Sequence, residues 1–252
     1  RVSTGAILQG SVVALYNYMS QILVELVKVA NMIISITKAL ACGKRITDVL
    51  ETETTMVNGN VKKAGNGLVE FRNVSLKYSE GGDNALSNIN FTANPGETIG
   101  IIGGTGSGKT SLVHMIPRFY DASEGEVFVD GVNVLDYDVE SLREKIGIVM
   151  QKAVLFRGSV RENIQWGKTD ATDKEIFDAL EIAQAKEIVD GKEGGLDFII
   201  AQEGKNLSGG QRQRMTIARA VVKKPEILIL DDSASALDFA TDARLRKSIR
   251  EM

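Results

Sequence analysis

The chain has one cysteine, one histidine and few aromatic side chains, 6% of its 252 residues. A lone cysteine, Cys42, excludes an internal disulfide framework and is compatible with a reducing compartment. It is expected to serve in plain packing. A strong charge excess is also missing: the net charge of -3 lacks the basic footprint of a nucleic-acid surface, so nucleic acid is not an expected partner. With 25% charged residues the composition is that of an ordinary globular protein, neither disordered nor collagen-like. No repeat of about 20 to 50 residues runs through it. The N-terminus begins at Arg1 without methionine and without the charged, apolar, small-residue order of a signal peptide, so the chain reads as a piece of a longer one. Its length is enough for one large domain or a domain with an appendage.

Residues 2–24, VSTGAILQGSVVALYNYMSQILV, carry no charge and approach the roughly 20 residues needed to cross hydrocarbon. Gln9, Ser11, Asn17, Ser20 and Gln21 are polar, which suits a helix within a bundle better than one alone in lipid. The alternative is a long amphipathic helix in water. Glu25 and Lys28 are spaced to pair on one helix face, and the pattern continues through VANMIISITKALACGKRITDVLE. Residues 1–50 are therefore read as a membrane helix with an extension beyond it. Residues 51–67 lose apolar periodicity and gather Gly, Asn and charge, as a surface linker does. A domain is expected over 68–252, opening with strands in LVEFRNVSLKY and INFTANPGETIGIIG, separated by the turn signals GGDN and NPGE.

In TIGIIGGTGSGKTSL a buried strand is expected directly before Gly103, followed by four residues and then Gly108, Lys109 and Thr110. This is a phosphate-loop pattern. Gly103, Thr105, Gly106, Ser107 and Gly108 would turn backbone amides around a phosphate chain, with Ser111 opening the helix behind them. Lys109 would reach the terminal phosphates and Thr110 would ligate magnesium. The matching half of such a site is an apolar strand ending in an acid, and EILILD delivers Asp231 there, although an aspartate simply capping a strand or helix gives the same local pattern. Asn206 begins NLSGGQRQR, in which the Ser208 hydroxyl and the amides of Gly209 and Gly210 precede a helix and form an anion-binding terminus. A serine that merely caps the helix is the plainer alternative.

LSGGQ followed by RQRMTIARAVVKKPEILILDD resembles the signature segment of ATP-binding cassette (ABC) proteins, and the resemblance runs over residues 68–252. It implies an α/β phosphate-loop NTPase with an antiparallel β subdomain and an α-helical subdomain, incomplete at its C-terminus. It implies ATP and Mg2+ as ligands, with Tyr78 stacking on adenine and Gln151, between the two subdomains, serving metal and catalysis beside Thr110 and Asp231. Ser208, Gly209, Gly210 and Gln211 would contact ATP held by a second cassette, and residues 235–238 would cross to that partner. The N-terminal helix resembles the last membrane helix of an exporter subunit. That places the protein in the cell membrane with its nucleotide-binding domain in the cytoplasm, exporting a substrate the sequence does not identify.

Asp232 stands at the family's catalytic glutamate position, one methylene shorter, and Gln202 stands where exporters often have glutamate. Both departures resemble the degenerate-site half of a heterodimeric exporter, favoured here over a homodimer that works with aspartate. A nonhydrolytic, ATP-gated clamp is the alternative from another class. The family's switch histidine would follow the segment TDARLRKSIREM. His114, on the helix after the phosphate loop, is read as structural.

Overall fold

From Gln9 onward the uncharged run and the helical pattern after it form one helix, α1 (Gln9–Leu50), in a computed structural model that describes residues 9–52, 56–79, 81–233 and 236–252. At 1.5 Å per residue its 42 residues span about 63 Å, roughly twice a hydrocarbon core. It is long and apolar enough to cross a membrane by length and composition. Lys28 donates to Glu25 at 2.7 Å, the pairing its spacing predicts. Cys42 does not pack in a core within this chain: it is exposed on α1.

The chain divides into two compact units, Arg1–Met56 and Val57–Met252. In the second, strands β1 (Val69–Leu76) and β2 (Leu86–Ala93) are followed by helix α2 (Lys109–Met115) and by β3 (Glu124–Val129) and β4 (Val132–Asn133). These strands form an antiparallel sheet in the order β2-β1-β3-β4. Next come α3 (Val139–Glu144), β5 (Ile146–Val149), β6 (Gly158–Ser159), α4 (Val160–Gln165), α5 (Asp173–Ile182), α6 (Lys186–Asp190) and β7 (Ile199–Ile200). The chain continues through α7 (Gly209–Val221), β8 (Ile227–Leu230) and α8 (Phe239–Glu251). β5 pairs in parallel with β8, and β6 pairs antiparallel with β7.

Two apolar clusters follow from this order. Phe71, Val74, Val127, Val129, Tyr137 and Leu142 join Ile146, Ile227 and Ile229 under the antiparallel sheet. Ile164, Ile176, Leu180, Ile200, Met215 and Ile217 form the core of the helical part. Tyr137 is wholly buried and its hydroxyl donates to the Val129 carbonyl, so its one polar atom is satisfied. Short polar patterns start the helices: Ser159 with Glu162, and Thr172 with Glu175, close reciprocal capping boxes.

The apolar run before the phosphate loop does not form the expected buried strand. Residues 98–102 are outside every strand, and Ile102 is 99% exposed. Apolar composition favours burial, but a strand also needs a backbone partner. Among the described residues the parallel sheet consists of β5 and β8 alone.

Part of the stretch read as linker is tied to the second unit. The Lys63 ammonium donates to the Asp130 carbonyl at 2.6 Å, and the amides of Asn66, Gly67 and Leu68 converge on Asp130 Oδ1 at 3.1, 2.9 and 3.1 Å. Lys145 donates to Asp130 Oδ2 at 2.9 Å and to Glu226 at 3.0 Å. Burial alone would push the Asp130 carboxyl up, but the Lys145 ammonium and the amides of Asn66 and Gly67 outweigh it and hold it low. Asp130→Ala is expected to destabilise this unit by about 3 kcal/mol, since the amides of Asn66, Gly67 and Leu68 lose their shared acceptor and Lys145 keeps Glu226 alone. Urea unfolding of the complete subunit measures it. Because the folded carboxyl lies below its unfolded value of about 3.9, its contribution is present above that pH and fades as pH falls through the folded value.

Candidate active site

Gly103 to Ser111 wrap the mouth of a cleft of about 780 Å³ in the second unit, lined also by Tyr78, Gln151, Asp231 and Asp232. The loop owes its path to glycine. Gly106 and Gly108 have φ of 80° and 85°, and a Cβ on Gly108 would lie 2.7 Å from the Ala85 carbonyl. Thr105 precedes Gly106 and Ser107 lies between the two glycines, its amide donating to the Gly104 carbonyl at 3.2 Å. The Lys109 ammonium donates to the carbonyls of Gly103 and Gly104 at 2.7 and 2.8 Å, which holds its charge at the loop.

Asp231 follows β8 at the carboxyl end of the parallel pair, and its amide donates to the Val149 carbonyl at the end of β5. The Thr110 hydroxyl lies 3.1 and 2.9 Å from its two carboxylate oxygens. Residues 121 positions apart thus present a hydroxyl and a buried carboxylate at one point. These hard oxygen donors suit a small divalent cation such as Mg2+. Among the described residues no group of three or more His, Cys, Asp or Glu could hold a metal. A cation here would therefore complete its shell with Thr110, the Gln151 amide, phosphate oxygens and water.

Asp232 has φ of 48°, a left-handed conformation that aspartate tolerates better than most residues. The Gln151 side-chain amide donates to Asp232 Oδ2 at 3.2 Å. That bond leaves the Gln151 carbonyl oxygen available to a cation or a water.

Tyr78 is 58% exposed, its hydroxyl is 2.6 Å from Ser111 Oγ, and its ring meets Tyr120 edge-on at 5.1 Å. Burial lowers the His114 pKa, with the Asp231 charge opposing weakly. The His114 ring lies 5.4 Å from that of Phe119 and 6.4 Å from that of Tyr120, with Nε2 unbonded.

Among the described residues lining the cleft, none comes from Ser208, Gly209, Gly210 or Gln211. Ser208 caps α7: its Oγ accepts from the Gln211 amide at 3.3 Å, and its own amide donates to Gln211 Oε1 at 2.9 Å. The capping alternative is thus realised. Gly210 has a packing reason as well, since a Cβ there would lie 2.8 Å from the Ala236 carbonyl, whereas one on Gly209 would have room. Of the segment 235–238, Ser235 lies outside the described residues, and Asp238 caps α8 by accepting from the Thr241 amide at 2.9 Å. Gln202 is exposed in a short turn before α7.

Sequence reading missed Arg219, on α7. It donates to the carbonyls of Val154 and Asn163 at 3.0 and 2.8 Å, and so fastens the helix behind LSGGQ to the loop that follows Gln151. No local pattern announces it, because its partners lie 65 and 56 positions away.

The family model of ABC transporters matches residues 86–235. An uncharacterized ABC transporter ATP-binding protein, YfiB of Bacillus subtilis (strain 168), is 44% identical over 98% of this chain and 44% of its own length. A putative multidrug export ATP-binding/permease protein of the same organism, YgaD, is 35% identical over the whole chain and 44% of its own. The chain spans less than half the length of these relatives. A solved structure of a bacterial Atm1-family ABC exporter with ATP bound superposes with a TM-score of 0.79 at 29% identity, covering 86% of this chain and 39% of that one. The fold is therefore an ABC-type phosphate-loop nucleotide-binding domain preceded by a long helix, and the chain belongs to the ABC transporter family, whose ATP-binding domains are ATPases coupled to transport.

Proposed function

We propose that this chain is the ATP-binding and ATP-hydrolysing part of an exporter subunit whose own ATP site is weakened at Asp232. The observation that carries the reading is the convergence of Thr110 and Asp231 at 2.9 Å beside Lys109 and the glycine loop. Loop amides and the Lys109 ammonium bind the phosphates, and Tyr78 stacks on the base. Thr110, Asp231 and Gln151 would hold Mg2+, which when bound would supply positive charge against the phosphate oxygens. Asp232, steadied by the Gln151 amide, orients the attacking water from a shorter arm than glutamate provides.

Catalysis of phosphoryl transfer rests on placement and charge. A carboxylate set back by about 1 Å can lose roughly 100-fold in rate, or about 2.7 kcal/mol of barrier. The second cassette is supplied by a partner subunit whose ATP meets this chain's Ser208, Gly209, Gly210 and Gln211. A different partner, with glutamate at the equivalent position, makes the assembly heterodimeric. The length and apolar composition of α1 support a subunit that sits in the cell membrane with its cassette in the cytoplasm. The export names carried by YgaD and by a β-(1→2)glucan exporter of Rhodopseudomonas palustris (strain BisB5) favour export as the direction.

The test compares ATP binding with phosphate release for the complete subunit, alone and co-assembled with a second exporter subunit in lipid vesicles. Tight binding with slow release alone, and rapid release only in the mixed assembly, is the expected result. Rapid release by the subunit alone would establish the homodimer, and binding without release in every assembly would establish the clamp.

A further inference from the structure

Tyr78 and Tyr120 lie 42 positions apart, yet they form part of a closed ring of contacts around α2. The Tyr78 hydroxyl meets Ser111 Oγ at 2.6 Å. The Tyr78 ring meets Tyr120 at 5.1 Å with an interplanar angle of 86°. The Tyr120 ring lies nearly parallel to His114, at 14° and 6.4 Å between centroids. His114 and Ser111 are three residues apart on α2 and so share one face of that helix, which closes the circuit. Phe119 also meets His114 edge-on at 5.4 Å.

A tyrosine more than half exposed would ordinarily swing about χ1 and χ2, and ordering it on a ligand would cost affinity. Two attachments remove that freedom, one at the hydroxyl and one at the ring edge. Both lead to the helix that begins at Lys109, so the ring is referenced to the phosphate cradle itself. We propose that Tyr120, supported by His114, is a positioning residue that holds the Tyr78 ring at the spacing from the phosphate loop that a purine nucleoside triphosphate requires. Tyr120 is absent from the residues lining the cleft and acts only through Tyr78. The proposal rests on the reading that Tyr78 stacks on the base.

Kd values of the complete subunit for ATP and for inorganic tripolyphosphate test it, because the second probe carries the phosphates without the base. Tyr120→Ala is expected to weaken ATP binding by roughly 3- to 10-fold, the range an edge-to-face aromatic pair supports, and to leave tripolyphosphate binding unchanged. Tyr120→Phe keeps the ring and should restore wild-type affinity. In a Tyr78→Ala background, Tyr120→Ala should have no further effect. If Tyr78→Ala itself leaves ATP affinity unchanged, the stacking reading fails. If Tyr78→Ala weakens ATP but Tyr120→Ala does not, or if Tyr120→Ala weakens both probes equally, the positioning proposal is overturned.

Discussion

Asp232→Glu in the complete subunit is expected to raise phosphate release from the site of Lys109 and Asp231 by up to about 100-fold. The gain comes from reach, since the charge is unchanged and only one methylene is added. Glutamate is less at ease than aspartate in the left-handed conformation at φ 48°, which costs about 1 kcal/mol of stability. That cost falls on folding, whereas about 2.7 kcal/mol is recovered from the barrier, so rate should rise even if the protein melts slightly earlier. Single-site turnover, with the partner's site disabled, is the appropriate measurement. An unchanged rate would show that aspartate already serves as well as glutamate, and the asymmetric reading would fall.

Lys109→Ala should weaken ATP binding by 100-fold or more. The Lys109 ammonium is held at the loop by two backbone carbonyls and can turn to terminal phosphate oxygens. Each hydrogen bond from a charged donor contributes roughly 1.5 to 3 kcal/mol, so losing two removes at least about 3 kcal/mol of binding. Titration of the complete subunit with ATP measures this directly. Affinity within threefold of wild type would remove the phosphate loop from the site.

Much of the site was legible from short patterns because its pieces are local. Glycines at 103, 106 and 108 followed by Lys109 and Thr110 specify a loop whose backbone must turn sharply, and Gly106 and Gly108 do adopt positive φ. The apolar ILIL of β8 ending in Asp231 specifies a buried strand with an acid at its carboxyl end. Ser208 with Gln211 spells a capping box, which the structure forms.

Other features were not legible, since they depend on which distant backbone or ring comes near. The run before Gly103 has strand composition yet forms no strand, because pairing is a property of two segments. Cys42 reads as a packing residue, yet it is exposed on α1. The Asp130 carboxylate gathers amides 62 to 64 positions away, a junction that no local pattern announces.

The sequence by itself determined the local patterns: a glycine-rich loop ending in Lys109 and Thr110, an apolar strand ending in Asp231 and Asp232, the LSGGQ segment and a long apolar helix. Only the tertiary structure decided the pairings. It set Thr110 against Asp231, Gln151 against Asp232, and Tyr120 between Tyr78 and His114. Local patterns fix conformation through backbone sterics and nearby hydrogen bonds. Contacts across 40 to 120 positions form only when the cores beneath them are packed.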